Sequence, residues 1–293
     1  MQLRNLLGIT GILICLAQFN GAAIAGVVTI GAAKDATIYK NNPNNSNGAG
    51  PAMFAGTDGS GLPLRSLLQF DIGGHVPAGS TITSVQLTLY LGMVAGGGGG
   101  QADSTPRSIE LHALSDSWGE GTTESGVTSI SLTGNGAAAN PGDATWNDGF
   151  FASASPVGWT TPGGDFAAAA SATTVVNQTL NSAFTWGSTA AMVADVQGWL
   201  DSQSSNNGWA LINASESTAR TYRAFWTREA SGANAGFVPQ LQITFTPEPA
   251  VVMPATLVML GLLGRKQRRF DNPSQARVSL QSPTLSTTLF PPV

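Results

Sequence analysis

Hydrophobic and polar positions alternate most regularly between Arg65 and Leu91. In RSLLQFDI, Leu68, Phe70 and Ile72 alternate with Leu67, Gln69 and Asp71; in ITSVQLTLYL, Val85, Leu87, Leu89 and Leu91 alternate with Gln86, Thr88 and Tyr90. A period of two predicts strands with one face buried and the other wet. The loop between the runs holds Gly73, Gly74, Pro77 and Gly79, which supply turn dihedrals that most residues resist. Two strands cannot bury an apolar face alone, so the rest of the chain must provide a second sheet.

After Val27 to Ile30, the segment Lys34 to Tyr39 leads into an Asn- and Gly-rich loop, Asn41 to Gly50; further strands are expected at Ala52 to Gly56, Ser108 to Leu114, Trp209 to Asn213, Thr221 to Glu229 and Gln240 to Phe245. Gly96 to Gly100 is too flexible for a strand and reads as a connection. Ser188 is placed to cap a short helix whose Met192, Val196, Trp199 and Leu200 share one face. Between Trp118 and Asp165 the pattern dissolves into irregular, glycine-rich chain. Long stretches of this kind are either functional or packed on a surface.

The 293 residues carry no internal repeat, and only 10% are charged, against 36 glycines. Many short strands joined by polar turns suit that composition better than charge-rich disorder. From Val27 to Phe245, seven Lys and Arg face fifteen Asp and Glu, a net charge of about minus eight. Such a body repels nucleic acid and anionic membranes, so neither is an expected partner. The single cysteine, Cys15, lies in an N-terminal apolar run, leaving the main domain without disulfides or thiolate-held metal.

That run, Leu6 to Ala17, follows Arg4 and precedes Ala23-Ile24-Ala25. It reads as a secretory signal peptide over residues 1–25, with Ala23 and Ala25 as the small residues that a signal peptidase requires. At the other end come Pro247, Glu248 and Pro249, the apolar stretch AVVMPATLVMLGLL, and a basic cluster of Arg265, Lys266, Arg268 and Arg269. Here the sequence resembles the PEP-CTERM sorting signal of bacteria that make extracellular polysaccharide. The resemblance implies recognition in the membrane by an exosortase-type enzyme and cleavage near the tripeptide. Fourteen apolar residues rise only about 21 Å as a helix, against a hydrocarbon core of about 30 Å, which suits transient membrane contact. Moving four cations into the bilayer centre would cost roughly 10 kcal/mol or more, so the cluster should stay cytoplasmic. The sorting segment is expected to span 247–269, and 270–293 to form a polar, disordered tail.

The body of the chain, 26–246, resembles the DNRLRE domain. The resemblance is carried by R-x-L-L-x-F-D at Arg65 to Asp71, the run from Pro77 to Tyr90, W-x-E at Trp118 to Glu120, and T-W-N at Thr145 to Asn147. It continues in P-G-G-D at Pro162 to Asp165, N-N-G-W-A-L-I at Asn206 to Ile212 and F-W-T-R-E at Phe225 to Glu229. What it implies is a secreted, all-β, jelly-roll-like antiparallel β-sandwich with one short helix, flanked here by an N-terminal signal helix and a C-terminal apolar sorting helix. Such domains are often joined to polysaccharide-acting or surface proteins, and a relative is classed as a carbohydrate-binding module for acidic polysaccharide. The negative charge of this domain disfavours an acidic ligand.

Reactive chemistry is sparse. His75 sits in a turn and His112 on the polar phase of its strand, both expected to be exposed and neither at a triad spacing. No cofactor is expected; Glu120, Asp148 and Asp165 fit backbone hydrogen bonding or a structural calcium better than glycoside cleavage. Seven tryptophans exceed what a core strictly needs. Trp118, Trp199 and Trp226 fall in apolar motifs, whereas Trp146 and Trp159, in the irregular chain, are the candidate stacking platforms for sugar rings. The expected function is that of a non-enzymatic module at the cell surface or in the extracellular matrix, holding polysaccharide. A structural envelope or matrix protein without a defined ligand is the second reading, and a polysaccharide-degrading enzyme the third.

Overall fold

The computed structural model describes residues 24–96, 101–125, 134–152 and 158–248. The chain divides into two units, Met1–Pro249 and Ala250–Val293, and the description concerns the first. The signal segment with Ala23, as well as Pro249, Arg265, Lys266, Arg268, Arg269 and the polar tail, lie outside the described residues. Among those described, Ala25 and Glu248 are exposed, Pro247 is half-buried, and no helix is long and apolar enough to cross a membrane.

The fold is all-β, with one helix. In chain order the strands are β1 (Gly26–Gly31), β2 (Lys34–Tyr39), β3 (Asn45–Ser46), β4 (Ala52–Thr57), β5 (Pro63–Gln69), β6 (Thr81–Val94), β7 (Arg107–Ala113), β8 (Ala137–Ala138), β9 (Ala172–Val176) and β10 (Ala183–Trp186). Helix α1 (Ala190–Asp201) follows, then β11 (Trp209–Asn213), β12 (Arg223–Trp226) and β13 (Gln240–Thr246). Eleven of these strands form one antiparallel sheet, β1-β13-β6-β12-β4-β5-β11-β7-β9, with β10 paired to β6 and β2 to β5. The sheet is curled, and residues of its two end strands, Ile30 of β1 and Ala172 and Val176 of β9, enter the same core.

The organising pair behaves as its alternation predicts on the inner side. Leu68, Phe70, Val85, Leu87, Leu89 and Leu91 all enter the main core, joined by Trp186, Trp209, Phe225 and Ile243. Helix α1 closes the core through Met192, Val196, Trp199 and Leu200. Its cap, however, is Thr189, whose Oγ1 accepts the Met192 N–H at 3.0 Å. Ser188, the expected cap, accepts the Val85 N–H instead. Strands β9 and β10 carry no clean alternation and are not evident from the sequence; β9 is held by its ladder to β7 and β10 by its ladder to β6.

On its outer side, β5 departs from expectation. Leu67 is fully buried, with Ala36, Ile38, Ala210 and Ile212 of neighbouring strands, beneath Leu114, Trp118, Ala144, Trp146 and Trp159. The irregular chain is therefore a second hydrophobic layer, roofing a face that alternation alone marks as wet. Its turns need glycine at Gly163 (φ +102°), where a β-carbon would come within 2.7 Å of the Trp146 ring. The same cover explains His112. It is buried, because its Nδ1 reaches the Ala167 carbonyl at 2.8 Å and Phe166 packs on its ring. His75 is exposed, as its turn predicts.

Candidate functional site

All seven tryptophans are buried. Trp146 and Trp159, the expected stacking platforms, keep only 6% and 7% of their surface exposed. Stacking on a sugar needs an open ring face, so the two rings do not form one. Trp159 donates its indole N–H to the Thr145 carbonyl at 2.9 Å. Trp146 lies under the Arg65 guanidinium, 5.1 Å from ring centroid to Cζ. Their irregular setting suggests exposure because period-two and helical patterns carry no information where the backbone repeats neither.

An open pocket of about 470 Å³ lies on the outside of this layer, between Ser115-Asp116 and the Thr160 to Ala168 loop. Asp165 shapes it, accepting the Thr160 and Thr161 N–H groups at 2.5 and 2.9 Å, while its carbonyl accepts the Ser115 N–H at 3.0 Å. The Asp165 carboxylate thus braces the wall. Ser115, Asp116, Thr160 and Thr161 are exposed and offer three hydroxyls and a carboxylate to the pocket. Phe166 is half-buried beside them, between the His112 ring and the Arg65 guanidinium. A wall of hydroxyls and a carboxylate beside an aromatic ring is suited to a polyhydroxylated ligand, since each paired hydroxyl replaces a bond to water. The sequence holds the signal for this pocket in P-G-G-D, but as a turn motif and not as a site.

Glu120, Asp148 and Asp165 are not brought together. Glu120 grips Arg228 through paired bonds of 2.7 and 2.6 Å; Asp148 accepts from Thr145 Oγ1 at 3.4 Å. No cluster of three metal-ligating side chains exists among the described residues.

A second cluster joins Asp35 to residues of the W-x-E and F-W-T-R-E motifs, and nothing in the sequence signals that they meet. Asp35 is fully buried, with Oδ2 accepting the Arg228 N–H at 3.0 Å and Oδ1 lacking a hydrogen-bond partner. Burial, and then the nearby Glu229 carboxylate, hold the Asp35 carboxyl well above the usual carboxylate range. Burial also raises Glu229, whose Oε2 is likewise buried without a partner. Hydrogen bonding to Glu120 raises Arg228 further, and burial lowers Lys34 against the pull of Glu120. The arrangement favours a neutral Asp35.

No protein-family model matches the chain, and no curated protein matches it.

Proposed function

We propose that the chain is an exported, non-enzymatic module of the DNRLRE kind, jelly-roll-like in topology, that holds polysaccharide at the cell surface or in the extracellular matrix. The observation that carries this reading is the pocket beside Phe166, where exposed Ser115, Asp116, Thr160 and Thr161 converge. Vicinal sugar hydroxyls pair well with a carboxylate and neighbouring hydroxyls. The net charge of the domain directs the reading toward neutral or amino sugars, because polyanions are repelled.

Export by the secretory route, with signal peptidase acting after Ala25 and an exosortase-type enzyme near Pro247, Glu248 and Pro249, belongs to the same reading. Affinity electrophoresis of the purified chain through neutral, basic and acidic glycans tests it. Retention by a neutral or basic glycan, abolished in Asp116→Ala/Thr161→Ala while the melting temperature is unchanged, is the expected outcome. Retention by none of the panel overturns polysaccharide holding and favours a structural matrix protein. Release of reducing ends from any glycan overturns the non-enzymatic part.

A further inference from the structure

We infer that β1 is an interaction edge and pairs with β1 of a second copy of this chain. On one side β1 is bonded to β13 over Gly26 to Gly31, in continuous register. On the other, it has no backbone or side-chain hydrogen-bond partner among the described residues. The other edges are less open than β1. Strand β2 is buried from Asp35 to Tyr39, and Glu120 takes the Asp35 N–H at 2.9 Å. Strands β9 and β10 meet through Thr174 Oγ1, which donates to the Thr185 carbonyl at 2.8 Å, although β9 leaves Val175 exposed.

A bare edge exposes alternate N–H and C=O groups that template another strand, and folded proteins normally guard it with charge, proline or a bulge. GVVTIG has none of these. Val28 is half-buried and packs on the core that Ile30 enters, while Val27, 63% exposed, and Thr29 face outward. The outward neighbours in register, Gln242, Thr244, Gln86 and Thr88, are uncharged as well. In a domain of about minus eight, this face sets no like charges against each other at the contact.

A second copy is the partner to which the uncharged edge offers a symmetric register. An antiparallel pairing centred on Val28 is self-complementary about a two-fold axis and sets Val27 of each copy opposite Thr29 of the other. It keeps Val28 and Ile30 on the core side in both copies, so the sheet continues across the interface without a change of face.

Sedimentation equilibrium of the purified chain from micromolar to millimolar concentration tests the pairing. A concentration-dependent dimer is expected, weakened roughly tenfold or more in Val27→Lys/Thr29→Lys, which sets lysine against lysine in this register, with an unchanged melting temperature. A chain that stays monomeric throughout overturns the inference. So does a dimer that the double variant leaves intact, since association then lies elsewhere.

Discussion

Arg65 and Trp146 form one unit: the guanidinium lies over the indole while its Nε and Nη2 fork onto Glu216 at 2.9 and 2.7 Å. A third bond, from Nη1 to the Gly163 carbonyl at 2.9 Å, ties the same group to the turn beside the pocket. Lysine has neither the fork nor the flat face. Arg65→Lys is expected to cost about 2 kcal/mol by urea denaturation. Trp146→Ala and Trp159→Ala, which empty the roof over β5, are expected to cost about 3–5 kcal/mol each. Any loss of glycan retention in the tryptophan variants should follow their unfolding curves; retention lost in a variant as stable as the parent would restore the rings as a contact surface.

Asp35 gives the stability a pH dependence of definite sign. Its folded pKa is raised, so the native state holds a proton that the unfolded chain releases from about pH 3.9 upward. The contribution is therefore complete below the unfolded value and declines as pH rises toward the folded one. Asp35→Asn, neutral at every pH, should flatten that decline and gain on the parent between about pH 5 and 8. Equal slopes for both proteins in urea titrations across this range would refute it.

The Arg223 guanidinium has no exposure and reaches Asp103 Oδ2 at 3.0 Å and the Thr105 carbonyl at 2.6 Å. Burial alone would raise Asp103, yet hydrogen bonds from Arg107 and Arg223 outweigh it and lower its pKa. Stability from this carboxylate is accordingly present above the unfolded pKa and lost as pH falls through the folded one. Asp103→Ala strands a buried cation, with an expected cost of about 3–5 kcal/mol at neutral pH. A cost below about 1 kcal/mol in guanidinium denaturation would mean that the carbonyls alone suffice for Arg223.

Gly208 holds φ +79°, and a β-carbon there would lie 2.1 Å from the Leu68 carbonyl oxygen. Gly208→Ala combines a backbone clash with a left-handed dihedral and should destabilise by more than the roughly 1 kcal/mol of the dihedral alone. Removing the helix cap by Thr189→Ala should cost about 1 kcal/mol. Thermal melts of the two variants rank these effects, and a reversed order would contradict the close approach of β5 and the Gly208 turn.

The parts legible in the sequence are those with a repeating backbone. Strands β6, β5 and β13 are readable from the alternation around Val85, Leu68 and Ile243, and α1 from the spacing of Met192 and Val196. The cap shifts by one residue because Ser188 and Thr189 are chemically alike and only the competing Val85 N–H decides between them. Asp35 and Arg228 stand 193 positions apart, so nothing local announces their contact. Trp146 and Trp159 escape a local reading for a related reason: what buries them is the opposite face of β5, where Leu67 has no visible partner in the sequence.

The roof over β5 also determines what a break in the irregular chain would expose. A protease that cuts the irregular chain near Asn147, which is exposed, and frees it would uncover Leu67, Ala210 and Ile212 to water together. Because these residues share one face of the sheet, losing the roof exposes them as a group rather than one by one.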